Sequence, residues 1–180
     1  MSLLAQRAWA ALEAVPDPEI PVVSIRELGI LRGVREQADG ASVEVVITPT
    51  YNGCPAMEQI ADDVRAALSA HGIAGSVVTQ LAPAWTTDWI GPEAREKLRR
   101  YGIAPPQPAS CASATHAAAH GTGAQVLQFA PRRAARAEAI ACPLCGSHNT
   151  TETSHFGSTA CKALMRCLDC LEPFDYFKPY

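Results

Sequence analysis

Residues 42–72 read SVEVVITPTYNGCPAMEQIADDVRAALSAHG and carry the signals for a strand, a turn and a helix in succession. The first seven letters are rich in valine and isoleucine, whose branched side chains favour extended backbone. From Pro55 to His71, apolar side chains instead recur every three or four residues, with charged side chains between them. This spacing predicts an amphipathic helix that Gly72 ends, and it sets Cys54 immediately before the helix begins.

The flanking segments extend this pattern in both directions. A strand over residues 31–37 precedes the pair Asp39 and Gly40, which is a strong signal for a two-residue hairpin turn into the strand at 42–48. The other predicted elements are an opening helix that ends before Pro16, a third strand over 73–81 and a closing helix over 92–101. We expect a small α/β module whose elements run α, β, β, α, β, α.

The composition is that of a globular chain without a membrane span. The 180 residues are 48% hydrophobic and 18% charged, with a formal net charge of −3, so the chain has no overall attraction for nucleic acid or an anionic membrane. This length excludes a large multidomain enzyme. No apolar run reaches the roughly 18 to 20 residues that cross a bilayer, and the opening segment is interpreted as a helix rather than a signal peptide. Seven cysteines, an odd number, favour reduced thiols, and we expect a cytoplasmic protein.

Composition also divides the chain into three parts. Residues 104–139 are rich in alanine, proline, serine and glycine, with few large apolar side chains, which is typical of a linker. Residues 140–180 contain five of the seven cysteines. We therefore predict an α+β protein with an α/β domain over 1–103, a linker over 104–139 and a cysteine-rich β module over 140–180.

The strongest chemical signal is a pair of C-x-x-C motifs in the last part. Cys142 and Cys145 form the first motif, and Cys167 and Cys170 form the second after a gap of 21 residues. Four thiolates at this spacing predict a tetrahedral site for zinc, and so small a module needs the metal to fold. A closed four-thiolate site has no open position, which favours a structural zinc ribbon over a redox centre. Nucleic acid binding is disfavoured because residues 140–180 carry four acidic and three basic side chains.

Cys54 is the second candidate site. Free backbone N–H groups and the dipole at a helix N-terminus stabilise a thiolate, so this position predicts a lowered pKa for Cys54 and a reactive thiol. The alternative is a small buried side chain at a strand-to-helix turn, since free cysteines are often buried.

Two carboxylates, Asp17 and Glu19, lie in a proline-rich loop after the first helix. They can bind a metal or a partner's backbone, or they can simply cap a turn. Cys161, between the two C-x-x-C motifs, is either an additional ligand or a thiol without a role. Taken alone, none of the three identifies a function.

Four segments together carry a resemblance over nearly the whole chain. They are DPEIP at 17–21, TPTYNGCP at 48–55, LAPAWTTDWI at 81–90, and FGSTACKALMRC with EPFDYFK after residue 155. In these segments the chain resembles the D subunits of the bacterial ring 1,2-phenylacetyl-CoA epoxidase system. The first module also resembles the small iron-sulfur cluster assembly domains, which carry the same acidic loop and a single cysteine before a helix.

The resemblance implies an accessory protein in aerobic phenylacetate catabolism that assists maturation or assembly of the iron or iron-sulfur centres of the epoxidase. Its partners would be the oxygenase and reductase subunits of the epoxidase. A homodimer of the chain is a further possibility. Cys54 would be a transient ligand of iron or of a cluster, supported by Asp17, Glu19 and Cys161, beside a zinc ribbon. No catalytic residue is expected, because the chain lacks the two Glu-x-x-His motifs of a diiron site, a dinucleotide fingerprint and a flavin motif.

Two alternatives belong to other functional classes. In the first, the chain is a structural or docking subunit of the oxygenase complex with no role in metal transfer. In the second, Cys54 is the nucleophile of a thiol enzyme, although the sequence offers no residue that can be named as its base.

Overall fold

The computed structural model describes residues 2–107 and 140–180. Most of the predicted linker, residues 108–139, therefore lies outside the described residues, as does Cys111. Within the described residues, no helix is long and apolar enough to span a membrane.

The first module packs helices against a three-stranded sheet. Strands β1 and β2 are antiparallel, β2 and β3 are parallel, and the order across the sheet is β1-β2-β3. The predicted order α, β, β, α, β, α is confirmed, whereas the 3-10 helix was not predicted. The elements are α1 (Leu3–Leu12), β1 (Leu31–Glu36), β2 (Ser42–Ile47), α2 (Ala56–Ala70), β3 (Ala74–Thr79), a 3-10 helix (Thr87–Trp89) and α3 (Pro92–Arg100).

The turn between β1 and β2 differs from the prediction. The hairpin is closed by Gln37, whose N–H donates to the carbonyl of Ser42, so the connection is longer than two residues. Asp39 stabilises this longer loop because its Oδ1 accepts from the N–H groups of Ala41 and Ser42. Gly40 supplies the left-handed φ of 63°. The Asp-Gly pair thus marks the turn correctly but does not fix its length.

Helix α2 packs on β3, and α1 packs on β1 and β2. The buried face of α2 is made of Ile60, Val64 and Leu68, which recur at helical spacing. Gly75 on β3 allows this approach, because a Cβ there would meet Leu68 at 2.7 Å. At its other end, the helix N-terminus faces the loop that follows β2, which carries Cys54.

The second module is a four-stranded sheet of order β4-β7-β6-β5, made of β4 (Ile103–Ala104), β5 (Thr150–Ser154), β6 (Lys162–Cys167) and β7 (Pro173–Phe177). Strand β4 immediately follows α3 and pairs in parallel with β7. The end of the first module is therefore part of the ribbon sheet, a long-range pairing that the sequence did not predict.

The two faces of β7 join two different cores. Phe174 packs into the small core of the ribbon with Met165 and two of its cysteines. Phe177 points the other way, is 1% exposed, and belongs to the core of the first module together with Cys161. Its ring lies 6.0 Å from that of Trp85. The ribbon is thus fixed directly on the first module.

Candidate functional site

Cys54 lies in a turn between the end of β2 and the start of α2. Its backbone N–H donates to the carbonyl of Tyr51, and its Sγ accepts from the N–H of Ala56 in the first turn of the helix. The N-cap residue, Pro55, makes no capping hydrogen bond of its own. The side chain of Cys54 is partly buried. The helix N-terminus therefore does contact the sulfur, as the sequence suggested.

The acidic loop lies against the same region. Asp17 is 5% exposed, and its Oδ1 accepts from the N–H groups of Glu19 at 3.0 Å and Ile20 at 2.8 Å. This is an Asx turn, in which one carboxylate oxygen shapes the loop. Glu19 remains partly exposed and also accepts from the hydroxyl of Thr159 in the ribbon.

The ribbon contributes Cys161, which is 4% exposed. Its Sγ lies 2.9 Å from Oγ1 of Thr159, and its carbonyl accepts from the N–H of Lys178. Both contacts lie within the ribbon, and Cys161 itself reaches the first module because it belongs to that module's core. Cys161 therefore comes from the opposite half of the chain to lie near Cys54.

The four side chains that the sequence singled out separately line one small cavity of about 10 Å³. Its wall contains Asp17, Glu19, Cys54 and Cys161, together with apolar side chains that include Phe177. The acidic loop, the β2–α2 turn and the ribbon each contribute to it. We call this cavity the thiol pocket.

Burial reverses the predicted acidity of Cys54. Desolvation raises the pKa of the Cys54 thiol above its ordinary value, and the carboxylates of Glu19 and Asp17 raise it further. The N–H of Ala56 lowers the pKa but does not outweigh burial. The sequence-based expectation of a lowered pKa is therefore wrong, because it counted the helix N-terminus and could not count burial.

The pKa values of the other ionisable groups of the pocket are also raised. Burial raises the pKa of Cys161, and the carboxylate of Glu19 adds to the effect. Burial likewise raises the pKa of both Asp17 and Glu19. The pocket therefore resists accumulating negative charge, and a cation entering it would relieve the repulsion between its thiolates and carboxylates.

Lys162 is the buried cation beside this pocket. It is 4% exposed, and its Nζ lies 3.3 Å from Oδ2 of Asp175 on β7. Its charge lowers the pKa of Asp17, Glu19 and Cys161, although burial outweighs it for all three. Lys162 was not predicted as part of the site. Its position directly after Cys161 in the sequence was the one feature that could have indicated it.

Aromatic rings lie beside Cys54, and the hydroxyl of Tyr51 is hydrogen-bonded to its sulfur. The rings of Tyr51 and Tyr180 lie 6.5 Å apart, and Tyr180 also contacts Trp85 edge-on at 6.4 Å. Burial raises the pKa of Tyr51 to about 12, and Cys54 contributes to that shift through a hydrogen bond and its charge. The carbonyl of Tyr180 accepts from the N–H of Thr87, which fixes the end of the chain here. Sequence analysis did not identify these rings as part of the site.

The four remaining cysteines of the ribbon form a second site. The Sγ atoms of Cys142, Cys145, Cys167 and Cys170 all lie within 4.8 Å of one another. Two of the distances are 3.8 Å, between Cys142 and Cys170, and 3.6 Å, between Cys145 and Cys167. Zinc–sulfur bonds of about 2.3 Å in a tetrahedron place the sulfurs about 3.8 Å apart, so the donor set fits such a metal. Within the described residues, no other group of three or more metal-ligating side chains is gathered in this way.

Polar side chains tie the two ends of the ribbon site together. Asp169, between the second pair of cysteines, accepts from Nδ2 of Asn149 at 2.7 Å and from the hydroxyl of Ser147. The N–H of Cys170 also approaches Sγ of Cys167 at 3.5 Å. The ligands are therefore held by their own short loops, independently of the thiol pocket.

Comparison with protein families identifies both modules. Residues 128–178 match the family described as "PaaD zinc beta ribbon domain", and residues 5–80 match the family described as "Iron-sulfur cluster assembly protein". The first match includes all four ribbon cysteines and Cys161, and the second includes Cys54 and the acidic loop.

Three named proteins are similar in sequence to all or part of this chain. A protein of Escherichia coli strain K12, named as the D subunit of a "Putative 1,2-phenylacetyl-CoA epoxidase", is 47% identical over 171 residues, which is 94% of this chain and 90% of that protein. An "Fe-S protein maturation auxiliary factor" of Porphyromonas gingivalis is 38% identical over 48% of this chain and 83% of its own length. The "Fe-S protein maturation auxiliary factor YitW" of Bacillus subtilis is 33% identical over 54% of this chain and 88% of its own length.

Proposed function

The chain belongs to the family of D subunits of 1,2-phenylacetyl-CoA epoxidase, and we propose that it is an accessory protein that matures an iron or iron-sulfur centre of that enzyme system. The iron or cluster is its cargo rather than its own cofactor. Two relatives that match the first module are named as maturation factors for iron-sulfur proteins, which supports this assignment.

One observation carries the proposal: two thiols and two carboxylates from distant parts of the chain line one pocket. Sulfur and carboxylate donors together suit iron in its ferrous state. A site with only two thiols is also incomplete, and an incomplete site releases its cargo more readily than a closed four-thiolate site. Transfer to a client requires such release.

The residues have separate roles in this proposal. Cys54 and Cys161 ligate the cargo through sulfur, and both thiols release their protons to solvent when it binds. The donor atoms of the pocket are not gathered at ligand distance as those of the ribbon are, so in this proposal they close around the cation as it enters. Glu19, which is partly exposed, attracts the cation and orients it. Asp17 adds its charge while it holds the loop in shape. The raised pKa values keep the thiols protonated until a cation arrives.

The size of the pocket bears on the cargo. A cavity of about 10 Å³ accommodates about one water-sized atom. A single iron ion fits this space, whereas an iron-sulfur cluster is larger than the cavity.

The ribbon has a different task. We propose that its four cysteines hold zinc permanently, which keeps Cys161 and Phe177 in position on the first module. Zinc supplies folding free energy in such a site and no open position for chemistry. In this proposal the two functional domains lie in 1–103 and 140–180, and the linker between them begins after Ala104, which pairs with β7 in the ribbon sheet.

Complementation tests the maturation role. In a strain that lacks this protein, the Cys54→Ser and Cys161→Ser variants should fail to restore epoxidase activity and the iron content of its subunits. Cys111→Ser is the matched control and should restore both. Full restoration by Cys54→Ser would reject the carrier role. Stoichiometric co-purification with the oxygenase that does not depend on Cys54 would instead favour a docking subunit.

A further inference from the structure

Within the described residues, the two sheets end in four edge strands, and three of these edges carry features that hinder pairing with another strand. Strand β1 bears Arg32, Arg35 and Glu36 and has an irregular register with β2. Strand β5 has an irregular register with β6, and β4 is only two residues long. Charges, bulges and short length are the means by which native sheets avoid pairing with other chains.

Strand β3 has none of these features. It covers Ala74–Thr79, reads AGSVVT, and contains no charged residue and no proline. Its parallel register with β2 is regular over all six residues. Five of the six residues are exposed, and among the described residues no strand lies on its outer side. This edge is therefore open to pairing along its whole length.

The backbone of β3 directs alternate residues outward. The N–H of Gln80 donates to the carbonyl of Ile47, so Gln80 and every second residue before it face β2. The residues between them, Gly75, Val77 and Thr79, direct their N–H and carbonyl groups away from the sheet. Only another extended segment offers donors and acceptors at the matching spacing.

We propose that β3 pairs with β3 of a second copy of this chain, in an antiparallel arrangement centred on Val77. Gly75 of each copy then lies opposite Thr79 of the other, and the outward groups exchange hydrogen bonds in pairs. The two three-stranded sheets become one continuous sheet. This inference does not depend on the proposed function, because it concerns the edge of the first module and not its pocket.

The side chains along this edge favour a second copy as the partner. A twofold axis brings the charges of an edge close to their own copies, so an edge lysine or glutamate opposes self-pairing. Strand β3 has no such charge, and on β2 the carboxylate of Glu44 lies 4.0 Å from the guanidinium of Arg35. Val78, which is 43% exposed, gains apolar contact in the pair. Strand β3 also lacks the charged or bulky side chains that select a different partner.

Helix α2, which packs on β3, contributes the remaining charges near this edge. Its Arg65 lies 2.6 Å from Asp62, whereas no ion pair within the described residues compensates Glu58 or Asp63. Two copies therefore repel each other weakly, and added salt should strengthen their association by screening this repulsion. A basic strand from another protein would respond in the opposite way.

Antiparallel pairing keeps the two thiol pockets apart. Strands β2 and β3 are parallel, and Cys54 follows the C-terminal end of β2. In the pair, these ends lie at opposite ends of the joined sheet, about 20 Å apart along strands of six residues. The two pockets are therefore separate sites, and Cys54 of one copy does not share a ligand with Cys54 of the other.

Sedimentation velocity of the zinc-loaded full chain over a range of concentrations tests the pairing. We expect the wild type to form a dimer as the concentration rises. Thr79→Pro removes one outward N–H and leaves the bonds to β2 intact, and Val78→Lys places a charge on the edge. Each should raise the dissociation constant of the dimer at least about tenfold.

Matched controls separate pairing from folding. Thr79→Val keeps both the N–H and a branched side chain, so it should dimerise like the wild type. Leu3→Lys adds the same charge on α1, where Leu3 is 73% exposed, and should also dimerise. Circular dichroism of Val78→Lys should match that of the wild type, since its side chain reaches solvent.

Hydrogen exchange identifies the surface that pairs. Exchange of the amide hydrogens of Gly75, Val77 and Thr79 should slow as the concentration rises. Slow exchange of these amides in a monomer would mean that another part of the same chain covers β3, and slow exchange only with added oxygenase or reductase subunits would mean that a different protein does. Either result would overturn the proposal. It would also be overturned by a wild type that stays monomeric at every concentration, or by a dimer that both edge variants leave intact.

Discussion

The thiol pocket and the ribbon site use the same side chain in opposite ways. In the ribbon, four thiols come from two short loops and lie within 4.8 Å of one another, so the ligand set is complete. In the pocket, Cys54 and Cys161 come from different modules and share the space with carboxylates. A complete set of ligands favours permanent binding of a metal ion, and an incomplete set favours its release. We propose that the cysteines of this chain are divided in the same way, four to hold the structure and two to bind cargo.

The largest effect is expected when a ribbon ligand is removed. Cys167→Ser should abolish zinc binding and unfold the ribbon, because its core is small and metal binding supplies on the order of 10 kcal/mol. Metal analysis and circular dichroism would measure both effects. Cys54→Ser and Cys161→Ser should leave the zinc content and the ribbon fold unchanged. If the ribbon of Cys167→Ser stays folded without metal, the metal is not needed for folding and the proposed difference between the two sites is wrong.

A smaller effect on stability is expected at Phe177, which packs the ribbon against the first module. Phe177→Ala should lower the free energy of unfolding by about 3–5 kcal/mol, because Phe177 is 1% exposed in the core that both modules share. Cys161 should then react faster with alkylating reagents, since the contact that covers it is lost. Urea unfolding and mass spectrometry measure these changes, with Phe156→Ala as the control because Phe156 is 64% exposed. A loss below about 1 kcal/mol would mean that the modules do not share a core.

The next prediction concerns the rate at which Cys54, in the thiol pocket, reacts with an alkylating reagent. Because burial and Glu19 raise the pKa of Cys54, its alkylation in the iron-free protein should keep accelerating above pH 9. Glu19→Gln should make Cys54 react faster at pH 8, since it removes a negative charge that opposes the thiolate. Mass spectrometry of iodoacetamide-treated protein follows both. A rate that levels off at or below pH 8.5 would contradict the raised pKa.

The smallest effect concerns the buried carboxylate. Asp17→Asn keeps the Oδ1 that accepts from Glu19 and Ile20 but removes a charge whose pKa is raised by burial. With a raised folded pKa, the stability linked to Asp17 is present below its unfolded pKa of 3.8 and is lost as pH rises through the folded value. Asp17→Asn should therefore melt slightly higher than the wild type at pH 7 and not at pH 3.5. A lower melting temperature at pH 7 would show that the charge itself stabilises the loop.

Local patterns in the sequence predicted the parts of the structure that depend on local interactions. Helical periodicity predicted α2 within a residue or two at each end, and the spacing of Cys142 to Cys170 predicted the gathered thiols. The hairpin loop proved longer because the hydrogen bonds of Asp39 stabilise a different turn. What the sequence could not predict depends on contacts between distant segments, such as the pairing of β4 with β7.

The site shows the same limit. Cys54, Asp17, Glu19 and Cys161 were each selected from local sequence or resemblance, but only the fold brings them together. The predicted direction of the pKa shift of Cys54 was wrong because the burial of its side chain and the nearby charges of Glu19 and Asp17 arise from the fold.

Metal and sulfide analysis of protein purified without oxygen tests the division between the two sites most directly. The wild type, Cys54→Ser and Cys161→Ser would be compared by zinc, iron and acid-labile sulfide content and by absorption spectrum. The account predicts about one zinc per chain in all three proteins, as a closed four-thiolate site requires, and iron in the wild type that both variants lose. Iron content that is unchanged in both variants, or iron in place of zinc at the ribbon, would contradict it.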